Sequence, residues 1–208
     1  MGRRMMSMDG GDVWVFGYGS LMWRPGFEPA EARAALLYGY HRALCIYSTR
    51  YRGTPERPGL VMGLDRGGAC RGIAFRIRAD ETRTVLAYLD DREMGQDDRV
   101  YLRRILPVRL DDGRRVPAVT YVADRNGARY TGRLGLEHMT ELVRAGTGMM
   151  GTARDYLSQT LERMAEMGLH GGPLRDVLDA VARGVEVPTA EYTRATNLPS
   201  GPTSGKHV

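Results

Sequence analysis

The sequence is poor in cysteine and has no long hydrophobic run, and each shortage excludes a class of protein. The chain of 208 residues has two cysteines, Cys45 and Cys70, which is too few for a disulfide framework, and we expect both to be buried on strands. No apolar segment approaches the roughly 20 residues that a membrane-spanning helix needs. The N-terminal residues carry two arginines without an apolar segment after them, which predicts no secretory signal. We therefore expect a cytoplasmic protein that has no membrane partner.

Lysine is almost missing, and arginine carries nearly all of the positive charge. Of the 30 lysine and arginine residues, Lys206 is the single lysine, and the formal net charge is +5. A net positive charge attracts nucleic acid. However, the arginines alternate with Asp and Glu, form no basic block, and belong to no zinc-finger, KH or RRM signature. The pattern favours a mixed charged surface without a nucleic-acid partner, and a basic nucleic-acid-binding domain is the weakest alternative.

Histidines are few and scattered. No two of the four histidines have the spacing of metal ligands. Ser20 has no evident His and Asp partners for nucleophilic catalysis. The sequence therefore gives little support for a metallohydrolase or a serine hydrolase.

Strand-like segments are present in the first part of the chain, and helical patterns follow. The segments predicted as strands are 13–16, 43–48, 60–64, 70–77, 100–110 and 116–123. Helices are predicted at 80–91 with Asp80 as N-cap, at 136–145, at 152–167 behind a Thr152/Asp155 capping box, and from Pro173 to Gly184. Turn-like connections favour a small, mostly antiparallel sheet or barrel in an α+β fold. We expect one domain, 12–192, between a flexible leader (1–11) and a disordered tail (193–208).

Residues 15–23, VFGYGSLMW, interrupt an apolar run with two glycines and a serine. A structural turn would explain this pattern. A loop whose backbone lies against a ligand would also explain it, because glycine leaves neighbouring N–H groups accessible to an anion or an oxyanion. The stretch has neither the third glycine of a dinucleotide fingerprint nor the lysine of a P-loop, so nucleotide binding is not predicted.

Glu93 lies in the stretch YLDDREMG, at the predicted C-terminal end of the first helix. A carboxylate there faces the negative end of the helix dipole. If it is buried as well, its pKa rises, which suits a general base. The alternative is an exposed glutamate that is paired with Arg92 or Arg99.

Four stretches occur in order, VFGYGSLMWRPGF, RGTPERPG, YLDDREM and DYL, and together they resemble the ChaC family of glutathione-specific γ-glutamylcyclotransferases. The resemblance covers about residues 13–185. It implies a small β-barrel flanked by helices. It also implies an enzyme that converts glutathione into 5-oxoproline and cysteinylglycine.

The resemblance further implies which residues form the site. Glu93 falls on the family's catalytic glutamate. The implied substrate-binding residues come from the first strand, the loop after it, the RGTP segment and the DYL motif: Val15, Phe16, Gly17, Tyr18, Gly19, Ser20, Leu21, Arg52 and Tyr156. One departure is Gly151-Thr152-Ala153, where family members often have Gly-x-Asn, so that Thr152 is expected to provide the helix cap.

The reaction that the resemblance implies is intramolecular. The α-amine of the γ-glutamyl group attacks its own γ-carbonyl carbon and expels the next residue's amine, so the protein mainly selects the folded conformer and moves protons. Glu93 is the expected base, and N–H groups of residues 19–21 would stabilise the oxyanion. This chemistry requires no metal or cofactor, and its partner is a small molecule. The alternatives are a cyclotransferase for a γ-glutamylamine or a biosynthetic γ-glutamyl intermediate, and a γ-glutamyl-binding protein without activity.

Overall fold

A closed five-stranded barrel forms the centre of the computed structural model, which describes residues 11–94 and 100–184. The strands are β1 (Val13–Gly17), β2 (Glu31–Ser48), β3 (Gly59–Ile77), β4 (Tyr101–Leu110) and β5 (Arg115–Ala123). They follow one another around the barrel as β1-β3-β2-β4-β5. The pair β1–β5 is parallel and the other four pairs are antiparallel. The predicted α+β class with a mostly antiparallel barrel is confirmed.

Four helices flank the barrel. They are α1 (Thr82–Met94), α2 (Leu136–Ala145), α3 (Ala153–Glu166) and α4 (Pro173–Ala182). A short 3₁₀ helix, Ser20–Met22, follows β1, and the two-residue strands β6 (Thr147–Gly148) and β7 (Gly151–Thr152) precede α3. Within the described ranges, none of the helices combines the length and the apolar character that crossing a bilayer requires. Most of the predicted leader and all of the predicted tail lie outside the described residues.

Strand β1 lies within the barrel wall, where it pairs with β3 on one side and with β5 on the other. Val15 and Phe16 are fully buried, as the continuous apolar run predicts. Cys45 in β2 and Cys70 in β3 are also buried, which confirms the expectation for both thiols.

Strands β2 and β3 are longer than the sequence predicted. The predicted segments 60–64 and 70–77 belong to one strand, because Gly67 and Gly68 adopt positive φ within it and form an irregularity instead of a chain reversal. Gly39 does the same in β2, next to the register shift between Tyr38 and Tyr40. The first half of β2 was not predicted, because its alanines have low strand propensity and pairing with β3 overrides that preference.

The helix boundaries confirm most of the capping predictions. The Thr152 hydroxyl accepts a hydrogen bond of 2.9 Å from the Asp155 N–H, and Pro173 lies in the first turn of α4. Helix α1 begins at Thr82, one residue later than an N-cap at Asp80 requires, so that prediction was wrong. The same helix continues to Met94, which places Glu93 in its last turn.

The two ends of the barrel differ in chemistry. At the end where β1 and β2 finish and β3 and β4 begin lies a cavity, and we call this the cavity end. At the opposite end, which we call the charged end, ion pairs connect Asp12, Glu31, Arg33, Arg76, Asp111, Asp112 and Arg114.

Candidate active site

A cavity of about 300 Å³ opens at the cavity end and collects most of the predicted site residues. Those that line it are Tyr18, Gly19, Ser20, Leu21, Arg52, Glu93 and Tyr156. The loop after β1, the loop after β2, the end of α1 and the start of α3 supply these side chains. Val15, Phe16 and Gly17 lie in β1 and do not line the cavity, so their predicted part in binding stays a prediction.

Glu93 is largely enclosed at the last turn of α1. Its side chain is 17% exposed, and its Oε1 lies 3.4 Å from Nε of Arg92. Burial raises the pKa of the Glu93 carboxyl, and the positive charge of Arg92 partly opposes that rise. The alternative of a glutamate paired with Arg92 is therefore right about the partner and wrong about exposure. Arg99, the other partner considered, lies outside the described residues.

Four buried tyrosines surround this carboxylate. The Tyr18 hydroxyl donates to the Tyr121 carbonyl at 2.9 Å, the Tyr101 hydroxyl donates to the Met62 carbonyl at 2.7 Å, and the Tyr121 hydroxyl donates to Asp90 at 2.8 Å. Burial raises the pKa of each phenol, that of Tyr156 included, and the charge of Glu93 adds to the rise. These four phenols thus stay neutral over the ordinary pH range.

Tyr156 connects α3 to the loop after β1. Its hydroxyl accepts a 3.3 Å hydrogen bond from the Met62 N–H, and its ring meets Trp23 edge-on at 6.2 Å. A Cβ atom on Gly19 would lie 2.9 Å from that hydroxyl, so only glycine leaves room for Tyr156 there. A Cβ atom on Gly17 would lie 2.9 Å from Cβ of Leu21. Packing within the protein therefore requires both glycines, and Gly19 in addition lines the cavity.

Arg52 places a buried positive charge on the cavity wall. The residue is 7% exposed, its Nη1 donates to the Thr152 carbonyl at 3.1 Å, and its guanidinium lies 5.6 Å from the centre of the Tyr156 ring. Among the described residues, no carboxylate lies within ion-pairing distance of Arg52. Burial is the main cause that lowers the pKa of this guanidinium, and nearby Arg24 adds to it. The arrangement is suited to an anionic ligand.

Sequence reasoning did not predict several residues of the cavity wall. Tyr101 and Tyr121 come from β4 and β5, and Arg24 and Arg129 come from loops. A tyrosine within an apolar strand needs a partner for its hydroxyl, so the stretch VPAVTYVA was a usable signal for Tyr121. The arginines gave no comparable signal, because the chain has so many.

In the described part of the chain, no group of three His, Cys, Asp or Glu side chains is arranged to hold a metal ion.

A family profile described as ChaC-like protein matches residues 13–185. The chain belongs to the ChaC-like family. Its relatives include the glutathione-specific gamma-glutamylcyclotransferase of Escherichia coli strain K12, which is 35% identical over 84% of this chain and 75% of that protein. Gamma-glutamylcyclotransferase 2-3 of Arabidopsis thaliana is 31% identical, over 81% of this chain and 88% of that protein.

Solved structures agree with the ChaC-like fold. The crystal structure of a selenomethionine-labelled γ-glutamyl cyclotransferase specific to glutathione from yeast superposes with a TM-score of 0.76. The two sequences are 19% identical, and the match covers 84% of this chain and 97% of the yeast chain. At this identity the likeness establishes the architecture, a closed barrel with flanking helices.

Proposed function

We propose that this ChaC-like protein cleaves glutathione into 5-oxoproline and cysteinylglycine. One observation carries the proposal: the enclosed carboxylate of Glu93 shares a cavity with the loop of Gly19, Ser20 and Leu21. A base and a set of backbone donors facing the same space are what an internal acyl transfer needs. The names of the relatives in Escherichia coli and yeast support glutathione as the substrate.

Proton transfer is the first task of the site. The α-amine of a γ-glutamyl group is an ammonium at neutral pH and cannot attack until it loses a proton. Burial raises the pKa of the Glu93 carboxyl above that of an ordinary glutamate, so this carboxylate is a better base. The freed amine attacks the γ-carbonyl carbon and a five-membered ring closes.

Collapse of the tetrahedral intermediate completes the reaction. Negative charge develops on the γ-carbonyl oxygen, and N–H groups at the start of the 3₁₀ helix Ser20–Met22, which have no acceptor within that helix, would stabilise it. The C–N bond to the cysteinyl residue then breaks as protonated Glu93 gives its proton to the leaving nitrogen. The attacking nitrogen, which still carries one proton too many, passes that second proton through the Glu93 carboxylate to the released amine, which leaves as an ammonium. Atoms and charges balance without a co-reactant.

Arg52 is the proposed receptor for a substrate carboxylate. Glutathione carries two carboxylates. Among the described residues, none of the carboxylates lies within ion-pairing distance of the buried guanidinium, although the charge of Asp155 acts on it from farther away. The ring of Tyr156 beneath the Arg52 guanidinium would keep this guanidinium in place.

A cytoplasmic location, and the lack of nucleic-acid and membrane partners, remain predictions.

A substrate panel tests the function. The purified full-length protein is incubated with glutathione, a γ-glutamylamine and a γ-glutamyl dipeptide, and released 5-oxoproline is measured. We expect turnover of glutathione in preference to the amine. Turnover of the amine alone would assign the enzyme to another γ-glutamyl substrate. Binding of glutathione without release of 5-oxoproline would make the protein a non-catalytic binder.

A further inference from the structure

Arg92 connects the last turn of α1 to the loop after β1. Its Nη2 donates to the Ser20 hydroxyl at 2.8 Å. Its Nη1 lies 2.8 Å from the Arg24 carbonyl, 3.3 Å from the Pro25 carbonyl and 3.0 Å from the Tyr88 hydroxyl. One planar guanidinium thus reaches several separate groups of the loop and the helix.

The same guanidinium also faces the candidate base. Nε of Arg92 lies 3.4 Å from Oε1 of Glu93, and both side chains are 17% exposed. Ser20 lines the cavity beside Gly19, so the chain of contacts runs from the loop through Arg92 to the carboxylate. In the described part of the chain, no other side chain contacts both the Ser20 hydroxyl and the Glu93 carboxylate.

We propose that Arg92 is a positioning residue that holds the Glu93 carboxylate at one fixed separation from the loop of residues 19–25. The inference rests on the proposed function, because it gives Arg92 a task only if Glu93 and that loop act on one substrate. The planar guanidinium of arginine has five N–H donors and can contact the loop and the Glu93 carboxylate at the same time, whereas a lysine ammonium cannot. Small displacements of a base from its substrate cost rate.

The charge of Arg92 has a second effect, on the ionisation of Glu93. Burial raises the pKa of Glu93. The positive charge of Arg92 stabilises the carboxylate form and so lowers that pKa in part. The groups that face Glu93 from the other packed elements are the phenols of Tyr18, Tyr101, Tyr121 and Tyr156. The cavity wall also holds charged groups of Arg24, Arg52, Asp91 and Arg129. Burial keeps the phenols protonated, so an acidic limb comes from a carboxyl of the cavity wall. A shift of that limb in an Arg92 variant points to Glu93, the carboxyl that Arg92 faces.

Two substitutions separate geometry from charge. Arg92→Lys keeps the charge and loses the fork, so we expect kcat to fall by about 10-fold with KM within about 3-fold and the acidic limb unmoved. Arg92→Gln loses both, so we expect kcat to fall by about 10- to 100-fold. In that variant the acidic limb of kcat/KM also moves to higher pH, because Glu93 then holds its proton to higher pH. Both are measured by 5-oxoproline release, with circular dichroism as the check on folding.

Arg103→Gln is the matched control. Arg103 also ties α1 to a neighbouring element, through Asp90 at 2.5 Å, but it contacts neither Ser20 nor Glu93. We expect its kcat and its pH profile to stay within about 2-fold of wild type. If the role of Arg92 were purely structural, Arg92→Gln would resemble Arg103→Gln. Both variants would lose stability, and the acidic limb of the pH–rate profile would stay in place in each.

The outcomes distinguish this inference from the proposed function. If wild type releases no 5-oxoproline from any γ-glutamyl compound, the proposed function falls and the inference falls with it. If wild type is active and Arg92→Gln keeps its kcat and its pH profile, the inference alone is wrong. Should Arg92→Gln fail to fold, Arg92→Lys decides, and an unchanged kcat there would overturn the inference.

Discussion

Glu31 and Glu93 lie at opposite ends of the same barrel, and their side chains are exposed to similar extents, 22% and 17%. Glu31, at the charged end, accepts hydrogen bonds from Arg33, Arg76 and Arg114 at 2.8, 2.9 and 3.1 Å. The hydrogen bond from Arg33 is the main cause that lowers the pKa of Glu31. Glu93, at the cavity end, has one arginine at 3.4 Å, and burial raises its pKa.

The difference shows that a concentration of charge does not by itself mark a site. At the charged end the carboxylates of the ion-pair network have arginine partners whose side chains are partly exposed, and such pairs contribute little. At the cavity end Glu93 is enclosed beside one arginine, and Arg52 is buried without a carboxylate at ion-pairing distance among the described residues. This is the condition in which a carboxylate becomes a useful base and a guanidinium a useful receptor. The comparison predicts different responses when the same residue type is changed at the two ends.

The largest predicted difference concerns the rate. Glu93→Gln removes the proposed base and preserves shape, so we expect kcat to fall by roughly 10²- to 10⁴-fold while the protein stays folded. Glu31→Gln removes a carboxylate of the same type at the charged end, where we expect kcat within about 2-fold of wild type. Release of 5-oxoproline from glutathione measures both. Equal losses in the two variants would show that Glu93 acts through stability and not as a base.

How far the sequence predicts this site depends on how local the signal is. The residue pattern alone left a structural turn and an exposed Glu93 as alternatives. Through the short motifs of the family resemblance, Glu93 and the loop of residues 18–21 were predicted. Tyr101 and Tyr121 were not, because they reach the cavity only when β4 and β5 close the barrel. Arg92 was considered only as an ion-pair partner, because its contacts with Ser20 and the carbonyl of Arg24 lie far from it in sequence.

The fold has the same division between local and long-range information. The end of α2 at Ala145 and the cap of α3 at Thr152 follow from nearby residues, and the structure agrees with both. The length of β2 depends on its pairing with β3. This pairing places several alanines in a strand although alanine has a low strand propensity. Gly67 and Gly68 looked like a turn, and in the folded chain they are an irregularity within β3.

A smaller effect is predicted for substrate affinity. Arg52→Gln removes a buried cation of the cavity end, so we expect kcat/KM for glutathione to fall by about 10- to 100-fold, mainly through a higher KM. Arg52→Lys restores the charge and should recover part of the loss. Arg114→Gln makes the same change at the charged end and should leave KM unchanged. A KM for Arg52→Gln equal to that of wild type would exclude Arg52 as the carboxylate receptor.

The smallest predicted effect is on stability, and it has opposite signs at the two ends. A carboxyl whose pKa is raised by folding, such as Glu93, binds its proton more tightly in the folded state than in the unfolded state. Wild type therefore loses stability as the pH rises from the ordinary pKa of 4.5 through the folded pKa. Glutamine does not titrate. Glu93→Gln should therefore have a higher Tm than wild type at pH 8, and the two should converge in acid.

Glu31 should behave in the reverse way in the same experiment. Its pKa is lowered from 4.5, so its contribution to stability is present above that pH and is lost as the pH falls through the folded pKa. Glu31→Gln should then have a lower Tm than wild type at pH 8, by a margin that salt reduces because the arginine partners are in solvent. Thermal unfolding at pH 4 and pH 8 measures both signs. If Glu93→Gln has a lower Tm than wild type at pH 8, the ion pair with Arg92 outweighs the cost of enclosing the carboxylate. The contrast between the two ends of the barrel would then hold for catalysis but not for stability.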